Sequence, residues 1–141
     1  QLVQERFPFC DIVIKAAAVA DYRVKNVSDQ KIKKNDGELT LVLEKNPDIL
    51  KELGEMKQPH QTLVGFAAET QNLLQYAKGK LEKKNLDMIV ANDVSKPQAG
   101  FNVDTNLIKL LKRDGSIEEL PLMSKKELAY IILDRVMKLR K

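Results

Sequence analysis

The sequence holds one cysteine, Cys10, which excludes an internal disulfide and any cysteine-based zinc site. Cys10 stands at the start of an apolar stretch and is expected as an inert buried thiol. Tryptophan is absent and aromatics make up only 5% of residues, while the basic residues are spread along the chain. That combination argues against nucleic acid as a partner, because a nucleic-acid platform needs a basic face with stacking aromatics. The single histidine, His60, follows Pro59 in a polar connector with no positioned partner beside it, so no catalytic base is expected there. No apolar run approaches the length of a membrane span, and no leader pattern is present, so the expected compartment is the cytoplasm, with no membrane partner. Neither Gly-x-Gly-x-x-Gly nor a Walker A motif occurs, which removes the usual glycine cradles for phosphate. No carboxylate–histidine cluster has metal-ligand spacing, and no serine–histidine arrangement suggests nucleophilic catalysis.

What is present suits one globular domain over residues 1–141. A composition 43% hydrophobic and 31% charged is ordinary for such a domain, and this length can bury a real core. The net charge of +4, from 24 basic and 20 acidic residues, is too mild to define a partner. Residues 1–7 read as the end of an amphipathic helix running directly into a strand, with no starting methionine. The expectation is a piece of a longer protein, truncated on its amino-terminal side.

The chain is organised around residues 11–34. Ile12, Val13 and Ile14 form a β-branched run expected as a strand covered on both faces of a parallel sheet. Ala16, Ala17 and Ala18 then leave room for a bulky group near the backbone, and Asp21 supplies a carboxylate. Lys31-Ile32-Lys33-Lys34 follows as a cationic loop of the kind a polyphosphate needs. In open α/β sheets ligands sit at the carboxyl ends of strands, where this turn falls. The same residues also fit alanines packed on a helix and lysines in a solvated loop.

Beyond the Asn35-Asp36-Gly37 turn signal, Leu39, Leu41 and Leu43 alternate with Thr40, Val42 and Glu44 as a half-exposed strand. Asn46-Pro47-Asp48 predicts a helix start, with Asn46 capping, Pro47 in the first helical position and Asp48 complementing the macrodipole. Ile49, Leu50 and Leu53 supply its apolar face. Residues 62–70 repeat the opening architecture of apolar strand, small residues and polar end. A helix over 72–84 follows, with Leu73, Leu74, Ala77 and Leu81 inward and Lys80 and Lys84 on one face at i and i+4. That lysine pair would welcome an anion, and equally suits the end of a solvated helix. A third strand over 86–91 ends in Asn92-Asp93-Val94-Ser95. Right-handed crossovers put all three polar strand ends at one edge of the sheet. A loop over 96–102 leads to strands at 106–112 and 116–120, which flank Arg113-Asp114-Gly115 as a hairpin. Ser124 with Glu127 forms a capping box for a last helix lined by Leu128, Ile131, Ile132, Val136 and Leu139.

Five motifs in register resemble one family: Ala16-Ala17-Ala18-Val19-Ala20-Asp21-Tyr22-Arg23, Lys31-Ile32-Lys33-Lys34, Asn46-Pro47-Asp48-Ile49, Gly65-Phe66-Ala67-Ala68-Glu69-Thr70 and Ala91-Asn92-Asp93-Val94-Ser95. The family is the phosphopantothenate–cysteine ligase domain, the carboxy-terminal part of a bifunctional coenzyme A biosynthesis flavoprotein in many bacteria. The resemblance implies an α/β fold: a Rossmann-like parallel sheet flanked by helices, with an antiparallel hairpin extension. It implies ligation of 4′-phosphopantothenate to L-cysteine, using CTP with Mg²⁺, through an acyl-cytidylate and loss of pyrophosphate. Lys31 matches the family lysine implicated in activation, where a cation offsets the charge on departing pyrophosphate. Ala17, Asp21, Pro47, Asp48, Ile49, Leu50, Phe66, Lys80 and Lys84 match nucleotide contacts. Asp48 would repel a triphosphate, so 47–50 is expected to touch base or ribose, and Lys80 and Lys84 the phosphates. FMN is expected only in the decarboxylase domain, outside this chain. A homodimer through edge strands at 39–43 and 106–120 is implied, with a higher oligomer open to the full-length protein. The family's Gly-Gly-Thr segment, Ser-Ser-Gly loop and acyl-handling asparagine are missing, so this chain alone is expected to bind CTP weakly and form no product. Two other classes remain open at this level. One is a non-catalytic nucleotide-binding or dimerisation module. The other is a dinucleotide-dependent oxidoreductase, against which the missing glycine fingerprint counts. A thermal-shift comparison of CTP with NAD(P)H separates them.

Overall fold

The computed structural model describes residues 2–33, 37–69, 72–95 and 103–140. Lys34, Asn35 and Asp36 of the cationic loop and turn, Thr70, and the loop over 96–102 lie outside the described residues. The elements run α1 (Leu2–Arg6), β1 (Ile12–Lys15), β2 (Tyr22–Val24), β3 (Leu43–Lys45), α2 (Ile49–Met56), β4 (Thr62–Glu69), α3 (Leu73–Lys83), β5 (Met88–Asp93), β6 (Thr105–Asn106), β7 (Ile108–Lys112), β8 (Ile117–Glu119), β9 (Met123–Ser124) and α4 (Lys125–Lys138). They form two units, residues 1–17 with 49–141, and residues 18–48.

In the larger unit a five-stranded sheet has the order β1-β4-β5-β7-β8. β1, β4 and β5 are mutually parallel, and β7 and β8 continue the sheet antiparallel. The expected α/β class, with a parallel sheet and a hairpin extension, is therefore what the chain adopts. Each face is covered by helix. Alternation along β4 sends Leu63 and Ala67 into one cluster with Leu50, Leu53, Ala77 and Leu81 of α2 and α3. Val64 and Phe66 face the opposite cluster, with Leu128, Ile132 and Val136 of α4. Burial of each such leucine or valine is worth about 1.5–3 kcal/mol.

Glycine 65 lies where α2 crosses β4. A Cβ there would stand 2.7 Å from Leu50 Cδ2 and 2.9 Å from Leu86 Cδ1, so a side chain would force those two leucines to repack. The hairpin closes through Gly115 at φ +86°, a left-handed conformation that a side chain rarely adopts, with Ser116 N–H donating to Asp114 Oδ1 at 2.8 Å. The capping box forms as expected: Glu127 N–H donates to Ser124 Oγ at 3.2 Å and Ser124 N–H to Glu127 Oε2 at 3.0 Å. The expected stripe on α4 faces the sheet, with Leu128, Ile132 and Val136 buried.

Several expectations are corrected. A 3-10 turn over Phe7–Phe9 separates α1 from β1, because Pro8 cannot continue the hydrogen-bonding pattern of α1. Phe7 instead plunges into the core, and buried Gln61 straps the turn by donating Nε2–H to the Phe7 and Cys10 carbonyls at 2.8 Å each. Cys10 is half-buried rather than buried, since it belongs to this turn and not to the strand. β1 is half-buried because it pairs only with β4, although Val13 faces one cluster and Ile12 and Ile14 the other. Leu74 lies on the outer side of α3 at 36% exposure. Asn106 pairs in β6 with β9, apart from β7, which is an interior strand; within the five-stranded sheet the 106–120 segment offers only β8 as an edge.

In the smaller unit β2 and β3 form an antiparallel ladder, with Arg23 and Glu44 joined across it at 2.7 Å. The alternating segment over 39–43 is not a strand until Leu43, and Leu39, Leu41, Val42 and Leu43 are all exposed. A two-stranded ladder has no second layer to bury alternate residues, so alternation alone does not define the strand. Asn46 does not cap α2. Its Nδ2–H donates to the Ala20 carbonyl at 2.7 Å, and its N–H to the Asp21 carbonyl at 2.8 Å, and the first helical residue is Ile49.

Candidate active site

The parallel register fixes the geometry. β1, β4 and β5 all point the same way, so their carboxyl ends share one edge of the sheet. At the end of β1, Lys15 Nζ folds back to donate to the Ala17 carbonyl at 3.2 Å, and Ala16 and Ala17 are exposed. On β4, Phe66 is half-buried on the face toward α4. On β5, Asn92 pairs in register between Ala68 and Ile108.

Ala16, Phe66 and Asn92 meet in a cavity of about 340 Å³ between the sheet and the start of α4. Ala16, Phe66, Val90, Ile108 and Leu128 give it apolar walls, and Asn92, Asn106 and Lys125 supply its polar groups. Asn92 Oδ1 is withdrawn from solvent and pairs with nothing among the described residues. Asp93, the next residue, accepts from Ser95 N–H at 3.0 Å and closes the strand into a turn. The edge foreseen from the three polar strand ends carries a cavity, as do other parts of the larger unit. Asn106 and Lys125 were not foreseen as its lining. The capping box does place Lys125 at the first position of α4, but nothing local in the sequence marks Asn106.

The remaining candidates distribute as follows. Leu50 is 6% exposed and its side chain is committed to the core over Gly65, which leaves only its main chain for a ligand; Ile49 is half-buried beside it. Lys80 and Lys84 are half-buried and come late in and just after α3. α3 packs on the face of the sheet opposite Phe66, and its end leads back toward the start of β5, so the two lysines are not brought to the Asn92 cavity. In the smaller unit Asp21, Lys31, Pro47 and Asp48 are exposed. Lys31 directly follows a tight turn in which Gln30 N–H donates to Ser28 Oγ at 3.3 Å, and no ion pair among the described residues engages it.

Among the described residues no group of three or more histidine, cysteine, aspartate or glutamate side chains could hold a metal ion. No helix among them is long and apolar enough to cross a membrane.

Comparison with known proteins places the chain in a family. Over 131 residues the chain is 55% identical to the coenzyme A biosynthesis bifunctional protein CoaBC of Bacillus subtilis (strain 168), covering 93% of this chain and 32% of that protein. It is 52% identical over 125 residues to the CoaBC protein of Haemophilus influenzae, covering 89% of this chain and 31% of the relative. The crystal structure of the C-terminal domain of a CoaBC protein superposes with a TM-score of 0.76 at 44% identity, covering 98% of this chain and 59% of that one. The chain thus spans about a third of the length of the curated relatives it matches. Residues 1–139 match the model of one family, and the chain belongs to it: the DNA/pantothenate metabolism flavoprotein C-terminal domain.

Proposed function

We propose that this chain is part of a phosphopantothenate–cysteine ligase acting in coenzyme A biosynthesis in the cytoplasm. The observation that carries this reading is the 55% identity over 131 residues to a coenzyme A biosynthesis bifunctional protein. The reaction divides into activation of 4′-phosphopantothenate by CTP and attack by the amine of L-cysteine. The nucleotide is assigned to Ala17, Asp21, the 47–50 segment and Phe66, with Lys31 as the catalytic cation set against departing pyrophosphate. Lys80 and Lys84 are retained as phosphate ligands on the motif alone, since the sheet face they occupy differs from that of Phe66.

The donor set gives Mg²⁺ no cage of carboxylates among the described residues, which fits an ion that arrives on CTP and keeps phosphate and water ligands. It would offset triphosphate charge. FMN is assigned to a part of the relatives outside this chain.

A homodimer completes the reading. Val27, Ile32, Leu39, Leu41, Val42 and Leu43 of the smaller unit are each more than half exposed, an apolar surface that a second copy would cover. Light scattering is expected to report a dimer at micromolar concentration, and a strict monomer would remove this part of the proposal.

The test of the function uses the natural polypeptide that contains these residues. Pyrophosphate release should require CTP and 4′-phosphopantothenate together, and phosphopantothenoylcysteine should form once cysteine is added. Stabilisation by NAD(P)H and not by CTP in a thermal-shift assay, with no pyrophosphate, would overturn it.

A further inference from the structure

Resting on the ligase reading above, we infer that the cavity between β4, β5 and the start of α4 is the seat of cysteine, with Asn92 Oδ1 orienting its amine and Lys125 its carboxylate. The cavity lies at the small end of the range for small-molecule sites, about 300–1,000 Å³, at about 340 Å³ itself, which suits a small substrate better than a nucleotide. Its walls are apolar, as a thiol-bearing side chain requires, and its polar groups are few.

The chemistry of Asn92 selects the ligand group. Oδ1 is an acceptor withdrawn from water and unpaired among the described residues, so an entering N–H donor gains by pairing with it. The last torsion of an asparagine side chain is soft, so a small rotation presents the oxygen to the cavity. An amine nucleophile must keep its lone pair free. A carboxylate in this place would favour the ammonium form, whereas a neutral amide oxygen holds an N–H without doing so. Lys125 is the one charged side chain lining the cavity among the described residues, and it is exposed at the mouth, where a carboxylate would meet it.

In the step served by this seat, the amine lone pair forms a C–N bond to the acyl carbon. The C–O bond to the cytidylate phosphate breaks, CMP leaves with that electron pair, and the nitrogen gives its proton to water. Asn92 touches the substrate amine and takes no proton.

The experiment separates the two half-reactions in the natural polypeptide. Asn92→Ala should release pyrophosphate from CTP and 4′-phosphopantothenate within twofold of the wild-type rate, while kcat/KM for cysteine falls ten- to a hundredfold. Hydroxylamine, which lacks the carboxylate and side chain, should trap the activated acid equally in both. Asn92→Asp, nearly isosteric, should move the pH optimum of the cysteine step to the alkaline side, an effect a merely structural role would not produce. If Asn92→Ala melts out, Asn92→Asp alone decides. Lys125→Gln, at an exposed position, should narrow the preference for cysteine over cysteamine at least fivefold. Unchanged cysteine kinetics in a folded Asn92 variant, or equal loss of both half-reactions at an unchanged melting temperature, overturns the assignment. Absence of pyrophosphate release from the wild type would instead sink the ligase reading itself.

Discussion

Lys57 holds its Nζ 2.8 Å from both carboxylate oxygens of Asp87, and the lysine side chain is only 7% exposed. Asp87 Oδ2 also accepts from Leu63 N–H at 2.8 Å, and the Asp87 carbonyl from Arg113 N–H at 3.0 Å. Asp87 therefore joins the exit of α2 and the start of β4 through its carboxylate, and the hairpin turn through its carbonyl, at the amino edge of the sheet. Asp87→Ala would strand a buried ammonium, and is expected to cost about 3–5 kcal/mol in chemical denaturation. Lys57→Met leaves Asp87 with Leu63 N–H and Arg113 and should cost clearly less. Equal losses would show that the pair is not the unit of stability.

Glycine 54 of α2 makes an equally demanding contact. A Cβ at this position would stand 1.9 Å from the Lys84 carbonyl oxygen, and Asn85 Nδ2–H donates to the Gly54 carbonyl at 2.8 Å. Alanine would gain up to about 1 kcal/mol of helix propensity. It would also drive α2 off a main-chain atom that no side-chain rotation can move, and overpacking of this kind costs about 1–3 kcal/mol. Gly54→Ala should therefore lower the melting temperature; a rise would mean that the two segments separate easily.

Stability should fall in acid partly through Glu118. Arg135 grips this carboxylate with three hydrogen bonds, from Nε at 3.1 and 2.8 Å and from the terminal nitrogen at 2.7 Å. That hydrogen bonding, with the Arg135 charge, holds Glu118 below the usual glutamate value against a smaller opposing effect of burial. A depressed carboxylate contributes fully above the unfolded value of about 4.3 and loses its contribution as pH falls through the folded value. Glu118→Gln should be destabilised relative to wild type at neutral pH, by about 1 kcal/mol or less for so exposed a pair. The gap should close below about pH 4 as the wild-type carboxylate takes up its proton. A gap independent of pH would assign the loss to packing.

The parallel core was legible in the sequence because its residues report their own burial. Ile12 to Ile14, the 62–70 segment and the α4 stripe carry apolar periodicities that only two-sided or one-sided cover explains, and the capping box marked the start of α4 to the residue. The smaller unit was not legible in the same way. Leu39, Leu41 and Leu43 alternate like a covered strand but are exposed, so their pattern does not report the local fold. Asn46 carried a capping signature, yet the Ala20 and Asp21 backbone, distant in sequence, took its hydrogen bonds. The cavity followed the same division. Its β-strand walls were foreseeable from strand ends, whereas Asn106 enters through the pairing of β6 with β9, a contact no local window contains.

Lys31 offers the sharpest test of the catalytic assignment. It is exposed, follows the Ser28–Gln30 turn and is engaged by no ion pair among the described residues, so Lys31→Gln should leave the melting temperature within about a degree of wild type, as surface substitutions do. A cation set against charge that develops in the transition state is worth far more than one on a surface, on the scale of an oxyanion donor at roughly a hundredfold or more in rate. Lys33→Gln removes the same charge two residues away and is also exposed, so it controls for the field of the loop as a whole. In the natural polypeptide, pyrophosphate release from CTP and 4′-phosphopantothenate without cysteine should fall about a hundredfold or more for Lys31→Gln and only a few-fold for Lys33→Gln. Adding cysteine should not restore the rate, because the lost step precedes the amine. Equal rates for Lys31→Gln and wild type would remove Lys31 from the activation step, and equal damage from both substitutions would reduce it to one contributor among several to the charge of the loop.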